Sequence, residues 1–204
     1  MVRILLTRHG HVAGIDPPTF RGGEIPLSER GLQEARLTAE RIARRWQVSQ
    51  VYTSPRQRCV HTGEIIAAAC GVPCEPLRCL NDLDYGAWSG HSHQAIERAH
   101  PEAYERWRRA PDLVRFPEGN TLQELSVGVA DALRVAIGRH PDGTVVIVAH
   151  DSSNRVLLLQ VLGLPLSSYW RLAQFPCALN EILIDAHGCT VLRMNDTAHL
   201  EALS

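Results

Sequence analysis

Two histidines in this 204-residue chain stand where an apolar run stops. His9 follows the run Val2 to Thr7, and His150 follows Thr144 to Ala149; both runs have the length and branched content of a buried strand. Arg8 precedes the first histidine, and Arg58 falls in the first turns of a predicted helix behind a third short run at Val51-Tyr52. Loops at the carboxyl ends of parallel strands are where open α/β sheets gather their ligands. Two imidazoles and two guanidiniums delivered there would form a cationic pocket. Arginine forks onto phosphate with two parallel hydrogen bonds where lysine offers a point charge, so such a pocket suits an oxyanion. Taken singly, either histidine is more simply a satisfied structural residue. The joint pattern is what points to chemistry.

The elements that must position these side chains follow from periodicity and punctuation. Ser28 offers a cap for a helix running through Arg45, and Ser54 a cap for the helix carrying Arg58, which runs to about Cys70. Gly71-Val72-Pro73 breaks that helix before a brief edge strand near Cys74 to Pro76. Asn120 or Thr121 caps a long helix to about Arg139, and a further helix spans about Ser152 to Leu162 behind His150. Strands at Leu179 to Ala186 and Cys189 to Met194 close the chain as a hairpin through His187-Gly188. Strands alternating with helices predict a three-layer α/β/α sandwich with a mostly parallel central sheet and a terminal antiparallel strand. Residues 1–204 read as one domain. Within it, residues 80–117 are rich in Trp, His, Arg and Pro, with weak helical stretches near Ser92 to Ala99 and Glu102 to Arg109, and read as a lid-like insertion.

Composition narrows the function classes. Lys plus Arg number 21 and Asp plus Glu 22, a balance that creates no broad field for nucleic acid or an anionic membrane. The six cysteines include no C-x-x-C pair or zinc-like spacing and read as small buried hydrophobes. No apolar run approaches membrane-spanning length and no signal-like core opens the chain, so a reducing, cytoplasmic setting is expected. His9-x-His11 at a strand end also suits a metal-dependent hydrolase, although flanking arginines would repel a cation. Ser152-Ser153 beside His150 lacks the Gly-x-Ser-x-Gly elbow of a serine hydrolase. No metal and no cofactor is expected.

The motifs carry a resemblance. Leu6-Thr7-Arg8-His9-Gly10 resembles the opening signature of the histidine phosphatase superfamily, the phosphoglycerate mutase-like proteins, in its branch 1. Phe20-Arg21-Gly22 with Pro26 to Gly31 is similar to the segment that wraps the phosphate. Ser54-Pro55-Arg56-Gln57-Arg58, continued to Thr62, resembles the Ser-Pro-x-x-Arg-x-x-x-Thr element. Leu80 to Gly90 is similar to the acidic loop, and Val148-Ala149-His150 to the second-histidine strand, all in the family's order. The resemblance implies that His9 is the nucleophile, that Arg8, Arg58 and His150 hold the phosphate oxygens, and that Arg21 and Gly22 border the substrate. Asp82 stands where relatives have the general acid, usually Glu. Asp151 is the alternative acid, because His150-Asp151 resembles the acid-phosphatase motif. Two departures are His11, where many relatives have an acid, and Ile15, where they have a phosphate-contacting Asn. A phosphatase of small phosphomonoesters, acting through a phosphohistidine, is the expected function; mutase-type phosphoryl transfer or a binding module without turnover are the alternatives. A small phosphorylated metabolite is the expected partner, with homodimerisation the assembly considered. The aromatic content of residues 83–107 suggests a partly apolar leaving group.

Overall fold

The computed structural model describes residues 1–15 and 18–203; residues 16, 17 and 204 of the expected domain lie outside them. Six strands form one sheet: β1 (Val2–Arg8), β2 (Val48–Thr53), β3 (Cys74–Pro76), β4 (Thr144–Ala149), β5 (Leu179–Asp185) and β6 (Gly188–Asp196), in the order β3-β2-β4-β1-β5-β6. β3, β2, β4 and β1 pair in parallel, while β5 runs antiparallel to both β1 and β6. The sheet is thus mostly parallel with its antiparallel part at the chain's end.

β1 is buried on both faces, which explains its near-continuous apolar sequence. Leu5 faces one way, into a cluster with Ala39 and Ile42 of α1 (Glu29–Arg45) and Ile66 and Ala67 of α2 (Gln57–Cys70). Ile4 and Leu6 face the other way, into a larger cluster with α5 (Leu122–Arg139) and α6 (Asp151–Val161). Alternation of side chains along the strand therefore builds three layers. Helix ends agree with the sequence: Ser28 caps α1 by accepting the Gly31 N–H, and Thr121 with Glu124 forms a capping box on α5.

β2 begins three residues earlier than its apolar dipeptide suggests. Ser49 and Gln50 hide the pattern, yet Gln50 is buried because its amide donates to the carbonyls of Val51 and Pro73. The register also shifts between Val48 and Gln50.

Between β3 and α5, the chain forms α3 (His93–Ala99) and α4 (Pro101–Arg109). Trp88, Ile96, Trp107 and Phe116 from this stretch join the larger cluster beneath the sheet. Trp107 is only 1% exposed and meets Phe116 and Tyr169 with ring centroids 5.0 and 5.2 Å away. These aromatic rings consolidate the core, and Trp107, with Tyr85 and His93, also walls a cavity that Arg8 and Asp151 border. Among the described residues, no helix is long and apolar enough to cross a membrane.

Candidate active site

β1 and β4 are neighbours, and Arg8 pairs in register with Ala149. His9 and His150, one residue beyond each strand, are consequently side by side with ring centroids 5.4 Å apart. α1 follows one strand and α6 the other on opposite faces, so the pair sits at a topological switch point. His9 is 1% exposed. Its Nδ1–H donates to the Gly10 carbonyl at 2.7 Å, which leaves the Nε2 lone pair available. Burial, then the charges of Arg8, His150 and Arg58, hold its pKa well below the ordinary histidine value. A neutral imidazole with one free nitrogen can act as a nucleophile.

Arg8 is held behind this ring by donating from Nη1 to the Gln174 carbonyl at 2.8 Å. Arg58, early in α2 and 1% exposed, donates to the Gly23 carbonyl at 3.2 Å, to Asp82 Oδ2 at 3.3 Å and to His150 Nδ1 at 3.2 Å. Because a guanidinium can only donate, His150 Nδ1 accepts and its Nε2 carries the proton, facing Ser54 Oγ at 2.8 Å. Burial followed by Arg58 and Arg8 depresses the pKa of His150 as well. Among the described residues the Nε atoms of Arg8, Arg21 and Arg58 are buried without a partner. Buried donors are ordinarily satisfied, so three unpaired guanidinium N–H groups mark a place built for acceptor oxygens.

The two carboxylates considered as acids occupy different surroundings. Asp82 Oδ2 lies 3.3 Å from Arg58 and 3.4 Å from His150 Nδ1, and its Oδ1 accepts the Leu83 N–H. Burial raises its pKa against the opposing pull of Arg58 and Arg21. It lines a cavity of about 450 Å³ with Arg21, Gly22, Arg58 and Ser89. Asp151 instead receives two contacts from Arg155 Nε, at 3.0 and 3.1 Å, and lies 4.0 Å from Arg8. It faces a separate cavity of about 250 Å³ walled by Phe20, Tyr85 and Tyr169. Arg21 borders both cavities and is anchored through Nη1 to the Gly14 carbonyl at 3.1 Å. Gly22 has no room for a side chain, since a Cβ there would come within 2.7 Å of the Ser89 Cβ.

Several expectations need correction. Ser54 does not cap α2; the cap position is Arg56, and Ser54 accepts the Arg56 N–H at 3.3 Å while meeting His150. His11 turns from His9 to bond Ser28 Oγ at 2.8 Å and lines a third cavity, so His9 and His11 do not converge as a metal pair. Among the described residues no group of three His, Cys, Asp or Glu side chains is gathered for a metal ion. Ile15 lines the 250 Å³ cavity. His93, in the lid-like stretch, stacks on Phe20 with centroids 4.2 Å apart and lines the same cavity. Sequence reasoning missed Gln174, whose amide exchanges hydrogen bonds with Asn180 while its carbonyl aims Arg8. A backbone acceptor leaves no signal in residue type.

Comparison with known proteins agrees with this geometry. Residues 4–197 match the model of the histidine phosphatase superfamily, branch 1. The chain is 29% identical over 201 residues to phosphoserine phosphatase 1 of Hydrogenobacter thermophilus, covering 98% of this chain and 95% of that one. It is 31% identical over 220 residues to a probable phosphoglycerate mutase GpmB of an Enterobacter species, covering 99% and 96%. The solved structure of Bacillus stearothermophilus YhfR superposes with a TM-score of 0.91 at 25% identity, covering 98% of this chain and all of that one. Paired strand-end histidines, two flanking arginines and a match along nearly the whole chain lead to one conclusion: this protein belongs to the histidine phosphatase superfamily, branch 1.

Proposed function

We propose that the chain is a phosphoric monoester hydrolase that needs no metal and transfers the phosphoryl group of a small phosphomonoester to His9 and then to water. The observation that carries this reading is the His9 ring, buried and uncharged, with Nδ1 committed to Gly10 and Nε2 free beside Arg8, Arg58 and His150. In-line attack by Nε2 on phosphorus gives a phosphohistidine. Arg8, Arg58, Arg21 and His150 would hold and neutralise the equatorial oxygens, where phosphoryl transfer gains most of its acceleration. Asp82 is the general acid for the leaving oxygen: burial favours its protonated form, whereas Asp151 is engaged by Arg155 Nε and lines a different cavity. Gly22 lets its loop approach Ser89 and so bounds the substrate cavity. Residues 80–117 act as a fixed cap on a single domain.

The named phosphatase and mutase among the relatives support phosphomonoester chemistry of either outcome, and the phosphatase relative, matched along nearly its whole length, favours hydrolysis. Six unpaired cysteines support a reducing, cytoplasmic setting. The test is rapid quench with a ³²P-labelled ester. The wild type is expected to yield an acid-labile, base-stable phosphoprotein and His9→Ala none; turnover continuing in His9→Ala would overturn the proposal.

A further inference from the structure

We infer that Ser152 and Ser153 are positioning residues for the general acid: their hydroxyls lock the loop that carries Asp82 onto the turn that carries His150. This inference rests on the phosphatase reading above, with Asp82 as the acid, and adds the residues that place it. Residues 81–85 form neither helix nor strand, so no regular ladder of hydrogen bonds fixes the Asp82 carboxyl. Leu80 and Leu83 are buried and hold the loop down, but apolar contact is non-directional. The Asp84 carbonyl accepts the Asn120 N–H at 2.9 Å, which ties the loop to the start of α5 and not to His150. Direction towards His150 comes from the two serines. Ser153 Oγ donates to the carbonyl of Asn81, the residue before Asp82, at 3.1 Å. Ser152 Oγ meets the hydroxyl of Tyr85, three residues after Asp82, at 2.8 Å.

Both serines are buried in the first turn of α6, and the cap of that helix is His150 itself. The Asn154 N–H donates to the His150 carbonyl at 2.9 Å and closes the turn, so His150 and the two hydroxyls belong to one rigid unit. That unit grips the loop on either side of Asp82, and Asp82 Oδ2 consequently rests 3.4 Å from His150 Nδ1. Tyr169 completes the arrangement by donating its hydroxyl to Ser152 Oγ at 2.9 Å. A serine hydroxyl has one proton and two lone pairs, so Ser152 can serve both tyrosines at once. Leaving such a buried hydroxyl unpaired is costly, which holds the three groups together. Among the described residues neither serine hydroxyl bonds His9, Arg8, Arg21 or Arg58. The pair therefore acts on the acid and leaves the phosphate cradle alone. Two adjacent serines beside His150, without the elbow of a nucleophile, thus have a role in the same site.

The experiment measures kcat/KM, which includes departure of the leaving oxygen, for p-nitrophenyl phosphate and for one alkyl ester. The alkyl ester is whichever of glycerol phosphate, phosphoglycerate and phosphoserine the wild type cleaves fastest. Misplacing a reacting group by about 1 Å can cost about 10²-fold, and Ser153→Ala and Tyr85→Phe each remove one of the two ties. Each should lower the alkyl-to-aryl ratio of kcat/KM by about tenfold. In an Asp82→Asn background neither should lower the ratio further, because a group that acts through Asp82 then has nothing left to place. Turnover of p-nitrophenyl phosphate verifies folding in each variant, and Tyr85→Phe decides alone if Ser153→Ala does not fold. An unchanged ratio in the single variants, or a further fall in the Asp82→Asn background, overturns the positioning role and leaves the phosphatase reading standing. If Asp82→Asn itself keeps the wild-type ratio, the acid assignment fails and the inference with it. If the wild type cleaves neither ester and forms no phosphoprotein, it is the phosphatase reading that fails.

Discussion

Replacing Asp82 with Asn separates its acid role from its structural one. Asn keeps the shape, and its amide oxygen can still accept the Leu83 N–H that Asp82 Oδ1 accepts at 3.0 Å. What disappears is the proton donor, together with the carboxylate 3.3 Å from Arg58. The second loss frees Arg58 for the phosphate, so KM should stay level or fall. The first loss acts only in the transition state. General-acid catalysis typically contributes about 10²- to 10⁴-fold, equivalent to roughly 3 to 5 kcal/mol of barrier. An alkyl ester, whose alkoxide cannot depart unprotonated, should therefore lose about 10²-fold or more in kcat. p-Nitrophenyl phosphate, which leaves as a stabilised phenolate, should lose no more than about threefold. Steady-state kinetics on both esters, with Asp151→Asn measured alongside, provides the assay. Asp151→Asn should slow both esters alike, because it disturbs Arg8 and Arg155 and not the leaving oxygen. Equal losses on the two esters in Asp82→Asn, or selective loss in Asp151→Asn, would refute the assignment.

Two pH effects follow from the same surroundings. His9 titrates well below its ordinary value and Asp82 above its own, so kcat/KM should hold as pH falls through the ordinary histidine range and decline as pH rises through the raised Asp82 pKa; Asp82→Asn should abolish that decline for alkyl esters, and its persistence would assign it elsewhere. At the chain's end, His199 lies between Thr38 Oγ1 and Arg41 Nη1, each at 2.9 Å, and burial followed by the Arg41 charge lowers its pKa from 6.5 to about 4. The unfolded chain then binds the extra proton between those values, so this contribution is complete above pH 6.5 and lost as pH falls towards 4. Allowing for its partial exposure, the loss is about 1 to 2 kcal/mol. Urea unfolding at pH 7 and 4.5 should show a shallower pH dependence in His199→Gln, and an unchanged slope would remove His199 as its source.

What the sequence revealed, and what it concealed, divides along a physical line. His9 and His150 were legible because burial of β1 and β4 on both faces forces unbroken apolar runs, and each run ends where a polar side chain is needed. Arg58 was legible through its helical spacing from a second strand end. Asp82 and Asp151 could not be separated that way, since each adjoins a recognisable motif; they differ in what crosses the space around them. Arg155, one turn along α6, neutralises Asp151, whereas Arg58 and His150 reach Asp82 from elements 24 and 68 residues away in the chain. Residues 83–107 were only partly legible for a related reason: composition reports how much aromatic surface exists, and only packing decides which way it faces. Trp88 turns into the core and Trp107 packs there while walling the aromatic cavity, leaving the shorter polar residues Asp84 and Ser89 to line the cavity beside Asp82. The proposed nucleophile and phosphate cradle are consequently written in local patterns at strand ends. The identity of the acid and the polarity of the leaving-group cavity are set by long-range packing of the cap, and substitutions there should change which ester is cleaved before they change how phosphorus is attacked.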